Sequence, residues 1–285
     1  MKRVSLLSLI IFILCENPLY ADHANEFQFG VFPYLPTHRI DPMWSPLAKH
    51  LTHDLHRGVE VRTRLEYSQF RNALSQEVFD IAFVQPFAYI ETAYFHNYIP
   101  MVRWVSKFDI QRKGRLEGVF VVLDEYPINA LKDISNGIIA MPPKKAAVSQ
   151  LGVATLVEHG MKTGSKVSIS NHRNHFSCMQ QLIIKKAVAC VTATPPMIQF
   201  EKKSGVKLRI IATTREIPSS LIVIHKRVPV HERQLIQKKL LELEKSKIGR
   251  DFLNKAGLIS FVKTTDSDYD EVRTILKKYS PKKSK

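Results

Sequence analysis

The chain has 285 residues, 45% apolar and 24% charged, enough hydrophobic material for about two ordinary domains and too little bias for a disordered, collagen-like or coiled-coil protein. Lysine and arginine number 42 against 26 acidic residues, a formal charge of +16. Such an excess favours an anionic partner, without saying whether that is a nucleic acid, a membrane surface or a small phosphorylated molecule.

Residues 1–21 read as a cleavable signal peptide. Lys2 and Arg3 open it, a short apolar run follows over 4–15, and Pro18-Leu19-Tyr20-Ala21 places small Ala21 before the cut. About 12 mostly apolar residues are too few to span a bilayer as a mature helix, although an uncleaved anchor is the plainer alternative. Leu14 stands before Cys15 where a lipoprotein site wants a small residue. The expected location is the periplasm. Removal of the segment leaves two cysteines, Cys178 and Cys190, which could pair in an oxidising compartment or serve as small buried hydrophobes.

From residue 27 onward, strand-like and helix-like segments alternate. Residues 27–33 form a strand. Asp41-Pro42 then starts a helix with a carboxylate cap and proline at its first position, and Trp44, Leu47, Leu51 and Leu55 make its apolar face. Residues 59–65 are a second strand, Ser68 caps a helix through Phe70 and Leu74, residues 79–84 are a third strand, and Pro86 starts the next helix. This βαβα order predicts a parallel sheet with right-handed crossovers. A second series begins at 118–123, with strands near 137–141, 166–169, 187–193 and 207–213 and helices near 146–160, 175–186 and 195–203. Residues 221–224 are another strand. Beyond them Leu235, Ile236, Leu240, Leu243 and Ile248 make a buried helical stripe, and residues 273–285, basic without an acidic residue, read as a solvated end or a lipid contact. The reading is two α/β lobes around a cleft, bent about strands near 113–118 and 214–219: lobe 1 from 22–115, lobe 2 from 116–216, and a return segment, 217–285, whose C-terminal helices pack on lobe 1.

Enzyme motifs are mostly absent: no GxGxxG, P-loop, GxSxG or HExxH occurs. His175 and Cys178 share a helical face and invite a nucleophile reading, and His172 with His175 a zinc reading, but a core thiol and a pair of imidazoles without carboxylates explain them more simply. No enzyme activity, metal or cofactor is expected. Three helix starts, at Phe87 after the Gln85-Pro86 turn, at residues 146–149, and at Pro195 after Thr194, follow strands where α/β sheets present ligand crevices. Their free N–H groups and positive dipole ends make anion sites, with Ser149 adding a hydroxyl and Lys144 and Lys145 positive potential. Tyr34 and Tyr89 flank the same turns and offer hydroxyls and walls to a pocket.

The segments FGVFPY (29–34) and FDIAFVQPFAYIETA (79–93) resemble the solute-binding proteins of phosphate, phosphite and phosphonate ABC importers, the PhnD-like family. So does the ending, IPSSLIVIHKRVP, a long helix, GRDFLNKAGLISFVKTT, then DSDYDEVRTIL. The resemblance covers most of 27–279. It implies a type II periplasmic-binding-protein fold, two α/β lobes joined by a two-strand hinge, a small oxyanion as ligand, and a membrane permease and ATPase as partners. A sensor module docking on a membrane receptor is the alternative use of the same fold; nucleic acid is not expected, and the protein is expected to be a monomer. Tyr34 and Tyr89 match the family's cleft tyrosines and His175 its histidine. The family's hydroxyl cluster reads PPKKAAVSQLG here, leaving Ser149. Phe176 and Val188 stand where the family carries acidic residues, so the site is expected to be less polar and no aminoalkylphosphonate is implied.

Overall fold

The computed structural model describes residues 26–35, 37–64, 66–107, 114–161, 164 and 166–279. The signal-peptide reading of 1–21, residue 113 of the expected hinge and the basic end beyond 279 lie outside them.

Two sheets organise the chain. The first six strands in sequence are β1 (Phe27–Val31), β2 (Val59–Arg62), β3 (Ile81–Val84), β4 (Tyr98–Ser106), β5 (Arg115–Leu116) and β6 (Val119–Leu123). They are followed by β7 (Gly137–Met141), β8 (Val167–Asn171), β9 (Ala189–Thr192), β10 (Leu208–Thr213), β11 (Ile217–Pro218), β12 (Leu221–His225) and β13 (Leu258–Lys263). The lobe-1 sheet has the order β13-β4-β12-β3-β1-β2 and the lobe-2 sheet β10-β6-β9-β7-β8. Only β2-β1-β3 and β8-β7-β9 are parallel; β12, β4 and β13 extend the first sheet antiparallel, and β6 and β10 the second.

The helices of lobe 1 are α1 (Thr37–Leu55), α2 (Tyr67–Ser75), α3 (Pro86–Glu91), and, after the return, α7 (Val230–Leu241), α8 (Lys247–Ala256) and α9 (Asp270–Tyr279). Lobe 2 carries α4 (Ala147–Glu158), α5 (His175–Ile183) and α6 (Thr194–Ser204). Trp44 of α1 is fully buried between Phe83 of β3, Phe29 of β1 and Phe252 of α8, with ring centroids 4.6, 5.6 and 5.2 Å away. That packing docks α1 and α8 on one face of the sheet; Phe70 of α2 stacks on Phe79 at 5.3 Å.

The second sheet shows a period-two division of labour. Phe120 and Val122 of β6 join Met141, Val148, Leu156 and Val191 beneath α4, while Val119, Val121 and Leu123 join Met179, Leu182 and Phe200 beneath α5 and α6.

Three local expectations are corrected and two strands are added. α1 begins at Thr37 and Pro42 and Pro46 lie inside it, so Asp41 is no cap. Pro42 is exposed and Pro46 half-buried, off the buried face of Ile40, Trp44, Leu47 and Leu51. α2 is capped by Glu66, whose amide bonds to the Gln69 side chain, so Ser68 sits inside the helix. Strands β4 and β13 do not emerge from the sequence pattern: Pro100 interrupts β4, and it is accommodated at a register shift between Ile222 and Val223 of β12. Ile248 is 49% exposed and does not continue the buried stripe of Ile236, Leu240 and Leu243, because the chain breaks between α7 and α8.

The lobes are joined where β5 pairs antiparallel with β11, Leu116 opposite Ile217 and Arg115 opposite Pro218. Reciprocal bonds add to this pair: Gly118 N–H donates to Thr214 Oγ1 and Thr214 N–H to the Gly118 carbonyl, both at 2.9 Å. Gly114 enters the crossing at φ +79°, where an added Cβ would lie 2.9 Å from the Trp104 carbonyl oxygen, so a side chain there is strained twice over. Arg115 clamps the crossing by pairing with Glu216 at 3.3 Å and Glu271 of α9 at 3.0 Å.

Candidate functional site

The carboxyl ends of β3 in lobe 1 and of β7 in lobe 2 meet at the junction between lobes, as contacts across it establish, and β1, β8 and β9 run parallel to them and end on the same sheet edges. Gln85, the residue between β3 and α3, extends its side chain to α4, where Oε1 accepts the Ala147 N–H at 3.1 Å. Lys145, just before α4, pairs with Glu91 of α3 at 2.9 Å, and the other Glu91 oxygen takes Arg71 of α2 at 2.8 Å. Ala147, Leu151 and Ala154, on one face of α4, share the apolar cluster of lobe 1. Beside this contact lies a groove of about 600 Å³ lined by Tyr67, Ser68, Arg71 and Asn72 from lobe 1 and by Pro143 to Lys145 from lobe 2. Its balance is positive, since Glu91 is shared by Arg71 and Lys145 while Lys144 carries no ion pair among the described residues. The Tyr67 hydroxyl is buried without a partner among the described residues, and burial pushes its phenol pKa upward.

The edge of lobe 2 facing the junction is stitched by side chains. Ser149, 1% exposed, donates its hydroxyl to the Pro142 carbonyl at 3.1 Å, and Asn171 at the end of β8 donates to the same oxygen at 2.8 Å. His175 at the first position of α5 lies 2.9 Å from Thr192 Oγ1 through Nδ1. Burial lowers the His175 pKa to about 4, so the ring is neutral at pH 7 and its Nε2 is left for another partner. Cys178, three residues along α5, is disulfide-bonded to Cys190 of β9 with Cα atoms 6.1 Å apart; both residues are buried. The nucleophile reading of Cys178 ends there, as the bonded sulfur has no thiolate to offer. Among the described residues no three His, Cys, Asp or Glu side chains are grouped to hold a metal ion.

The helix starts differ in what they offer. Pro86 begins α3, and Pro195 and Pro196 follow Thr194 in α6; neither kind of position has an N–H to give. At α5, Asn174 Oδ1 accepts the Ser177 amide at 2.9 Å, satisfying the end internally. The α4 start has no side-chain cap from its own lobe. Its Ala147 N–H is aimed at lobe 1.

The tyrosines sit deeper than their sequence positions suggest. Tyr34 is half-buried; its hydroxyl accepts Trp44 Nε1–H at 2.9 Å and donates to Met43 Sδ at 3.2 Å, and burial raises its pKa to about 12. Tyr89 is fully buried and donates to Asp266 Oδ1 at 2.5 Å, and burial together with that carboxylate pushes its phenol upward. Phe87 is also fully buried in the lobe-1 core. The structure therefore brings Gln85 to the α4 start, groups Ser149 with Asn171 and His175 with Thr192, and leaves Thr194 half-buried at the α6 start.

The two departures from the family's acidic positions have structural explanations. Phe176 packs on Phe200 at 5.7 Å beneath the far face of the lobe-2 sheet. Val188 precedes β9, at the end of that strand opposite the junction, against Gly137. Arg71 and Tyr67 do not emerge from the sequence pattern, whereas Lys144 does, as positive potential before α4; the turn from β2 into α2, another carboxyl-end crevice, is the signal for Tyr67.

No curated protein matches the chain in sequence. Its fold is similar to that of a binding-protein component of an ABC phosphonate transporter from Pseudomonas aeruginosa, at 13% identity and TM-score 0.74 over 88% of this chain and 85% of that one. It is also similar to the PhnD1 protein of Prochlorococcus marinus in complex with methylphosphonate, at 14% identity and TM-score 0.77 over 89% and 98%. A protein of Xanthomonas citri bound to ATP aligns at 10% identity and TM-score 0.72 over 90% and 100%. These likenesses establish the type II periplasmic-binding fold. Nothing in them supports the sensor alternative. The family model described as "ABC transporter, phosphonate, periplasmic substrate-binding protein" matches residues 29–269, and the chain belongs to that family.

Proposed function

We propose that the protein is the periplasmic receptor of an importer, capturing a small oxyanion of the phosphate or phosphonate class at the lobe junction and delivering it to a membrane permease and its ATPase. The observation that carries this is the amino end of α4, which has no cap from its own lobe and offers its Ala147 N–H to lobe 1, beside a positively charged groove. A helix start of this kind holds an anion with backbone N–H groups and the positive end of its dipole. In this reading residues 1–21 direct export and are removed. Lobe 1 comprises 22–115 with the return segment 217–285, lobe 2 comprises 116–216, and the protein works as a monomer.

The α4 amides and the neutral His175 Nε2 bind the anion, with Thr194 contributing from the α6 start. Lys144, Arg71 and the Tyr67 hydroxyl supply field and a donor at the mouth. Ser149 holds the β7–α4 loop in place, and Tyr34, Phe87 and Tyr89 support the lobe-1 side from within its core. The methylphosphonate held by the Prochlorococcus neighbour lends the class its plausibility.

Thermal unfolding of the purified chain against phosphate, phosphite, methylphosphonate and sulfate tests the proposal. A cognate anion at about 100 times its dissociation constant adds roughly 2.7 kcal/mol of stability. If none of the four raises the melting temperature at millimolar concentration and equal ionic strength, the reading is wrong.

A further inference from the structure

We infer that Gln85 is the specificity-determining residue of this site, acting as a tethered stand-in for the ligand. Its neutral carboxamide oxygen occupies the α4 amide that an oxyanion takes on binding. The inference rests on the reading of the α4 start as the anion site.

Ser149 and Gln150 both direct their amides to the Ala146 carbonyl at 3.1 Å, so those N–H groups are turned into the helix. The Ala147 N–H points out of it, and the acceptor it finds comes from the other lobe, Gln85 Oε1 at 3.1 Å. The backbone of Gln85 is fixed independently, because its carbonyl accepts the Tyr89 N–H at 2.9 Å at the start of α3. Only the side chain has to swing for the amide to be released. The groove lined by Lys144 and by Tyr67, whose buried hydroxyl has no partner among the described residues, adjoins the loop that leads into the same helix start.

The consequence is a threshold. A neutral acceptor on a ligand gains nothing by replacing another neutral acceptor that is already in place. A charged oxygen makes a hydrogen bond roughly twice as strong and gains from the helix dipole as well. Gln85 thus selects for charged over neutral oxygen ligands, at the cost of part of the affinity for every ligand. That cost is the net value of one hydrogen bond, a factor of about threefold to tenfold in dissociation constant.

Titration calorimetry of the wild-type chain, Gln85→Ala and Gln85→Glu with inorganic phosphate and with methylphosphonate tests the inference. Gln85→Ala is expected to bind the anion recognised by the wild type about threefold to tenfold more tightly. Gln85→Glu, placing a carboxylate on the same amide, is expected to lose binding at least tenfold without a lower melting temperature. If the wild type binds and Gln85→Ala binds equally or more weakly, the carboxamide assists the ligand and this inference alone falls. If neither chain binds either anion, the reading of the α4 start fails and the inference with it.

Discussion

Breaking the Cys178–Cys190 bond tests how the edge of lobe 2 is held together. The bond closes a short loop, since the cysteines are 12 residues apart in sequence. Constraining a loop of about that length in the unfolded chain is worth close to 3 kcal/mol on the chain-entropy model. Reduction leaves every heavy atom in place, so it isolates the cross-link; Cys178→Ala with Cys190→Ala would add a cavity cost in the cluster of Met179, Leu182 and Phe200. Urea unfolding with and without a reductant that reaches the buried bond in the unfolded state is the assay. The expected loss is about 3 kcal/mol, or a fall in melting temperature of roughly 6 to 12 °C for a chain of this size. The same bond ties α5 to β9 between His175 and Thr192, which sit three residues before one cysteine and two after the other. Reduction at native-favouring urea concentrations is therefore also expected to weaken anion binding. A stability change below about 0.5 kcal/mol, with the bond chemically confirmed as broken, would refute the reasoning.

Other outcomes follow from single groups. His175 titrates near 4 when folded and near 6.5 when unfolded, so the unfolded chain takes the proton first as pH falls. Stability is expected to drop between pH 6.5 and 4 and to be flat above; comparing urea midpoints of wild type and His175→Gln across that range isolates a contribution of up to about 3 kcal/mol, and identical pH profiles would contradict it. Gly30→Ala would bring a Cβ within 2.6 Å of the buried Phe79 ring and is expected to cost about 1–3 kcal/mol in denaturant unfolding. Glu91→Gln removes the carboxylate shared by Arg71 and Lys145; for a half-exposed pair the effect is about 0.2–1 kcal/mol, seen as a modest, salt-sensitive increase in the open population by small-angle scattering. Tyr269→Phe deletes a buried hydroxyl that donates to the Ser219 carbonyl at 3.1 Å next to the hinge, and about 1 kcal/mol of stability should go with it.

Elements whose pattern is local were legible in the chain itself. Continuous apolar runs mark β3, β6 and β12, and residues 146–160 were legible as the helix α4. β4 and β13 were not legible, because each is stabilised by pairing with the other across more than 150 residues and carries Pro100, Arg103 and Trp104 or a lysine end instead of a clean alternation. The start of α1 was misplaced because Asp-Pro is a strong local cap signal that the packing of Ile40 into the core overrides by extending the helix backward.

For the site, the amino-acid order alone determined which strand-to-helix turns could face a ligand, and the prolines at residues 86, 195 and 196 already carried the information that two of those turns are poor in donors. What only the folded chain decided is which side chain meets which helix end. Gln85 and Ala147 are 62 residues apart and belong to different lobes, and their bond exists because the two-strand crossing sets the lobes face to face. Local propensity acts over a few residues along the chain; the position of one lobe against another is fixed by packing between surfaces that no sequence window contains.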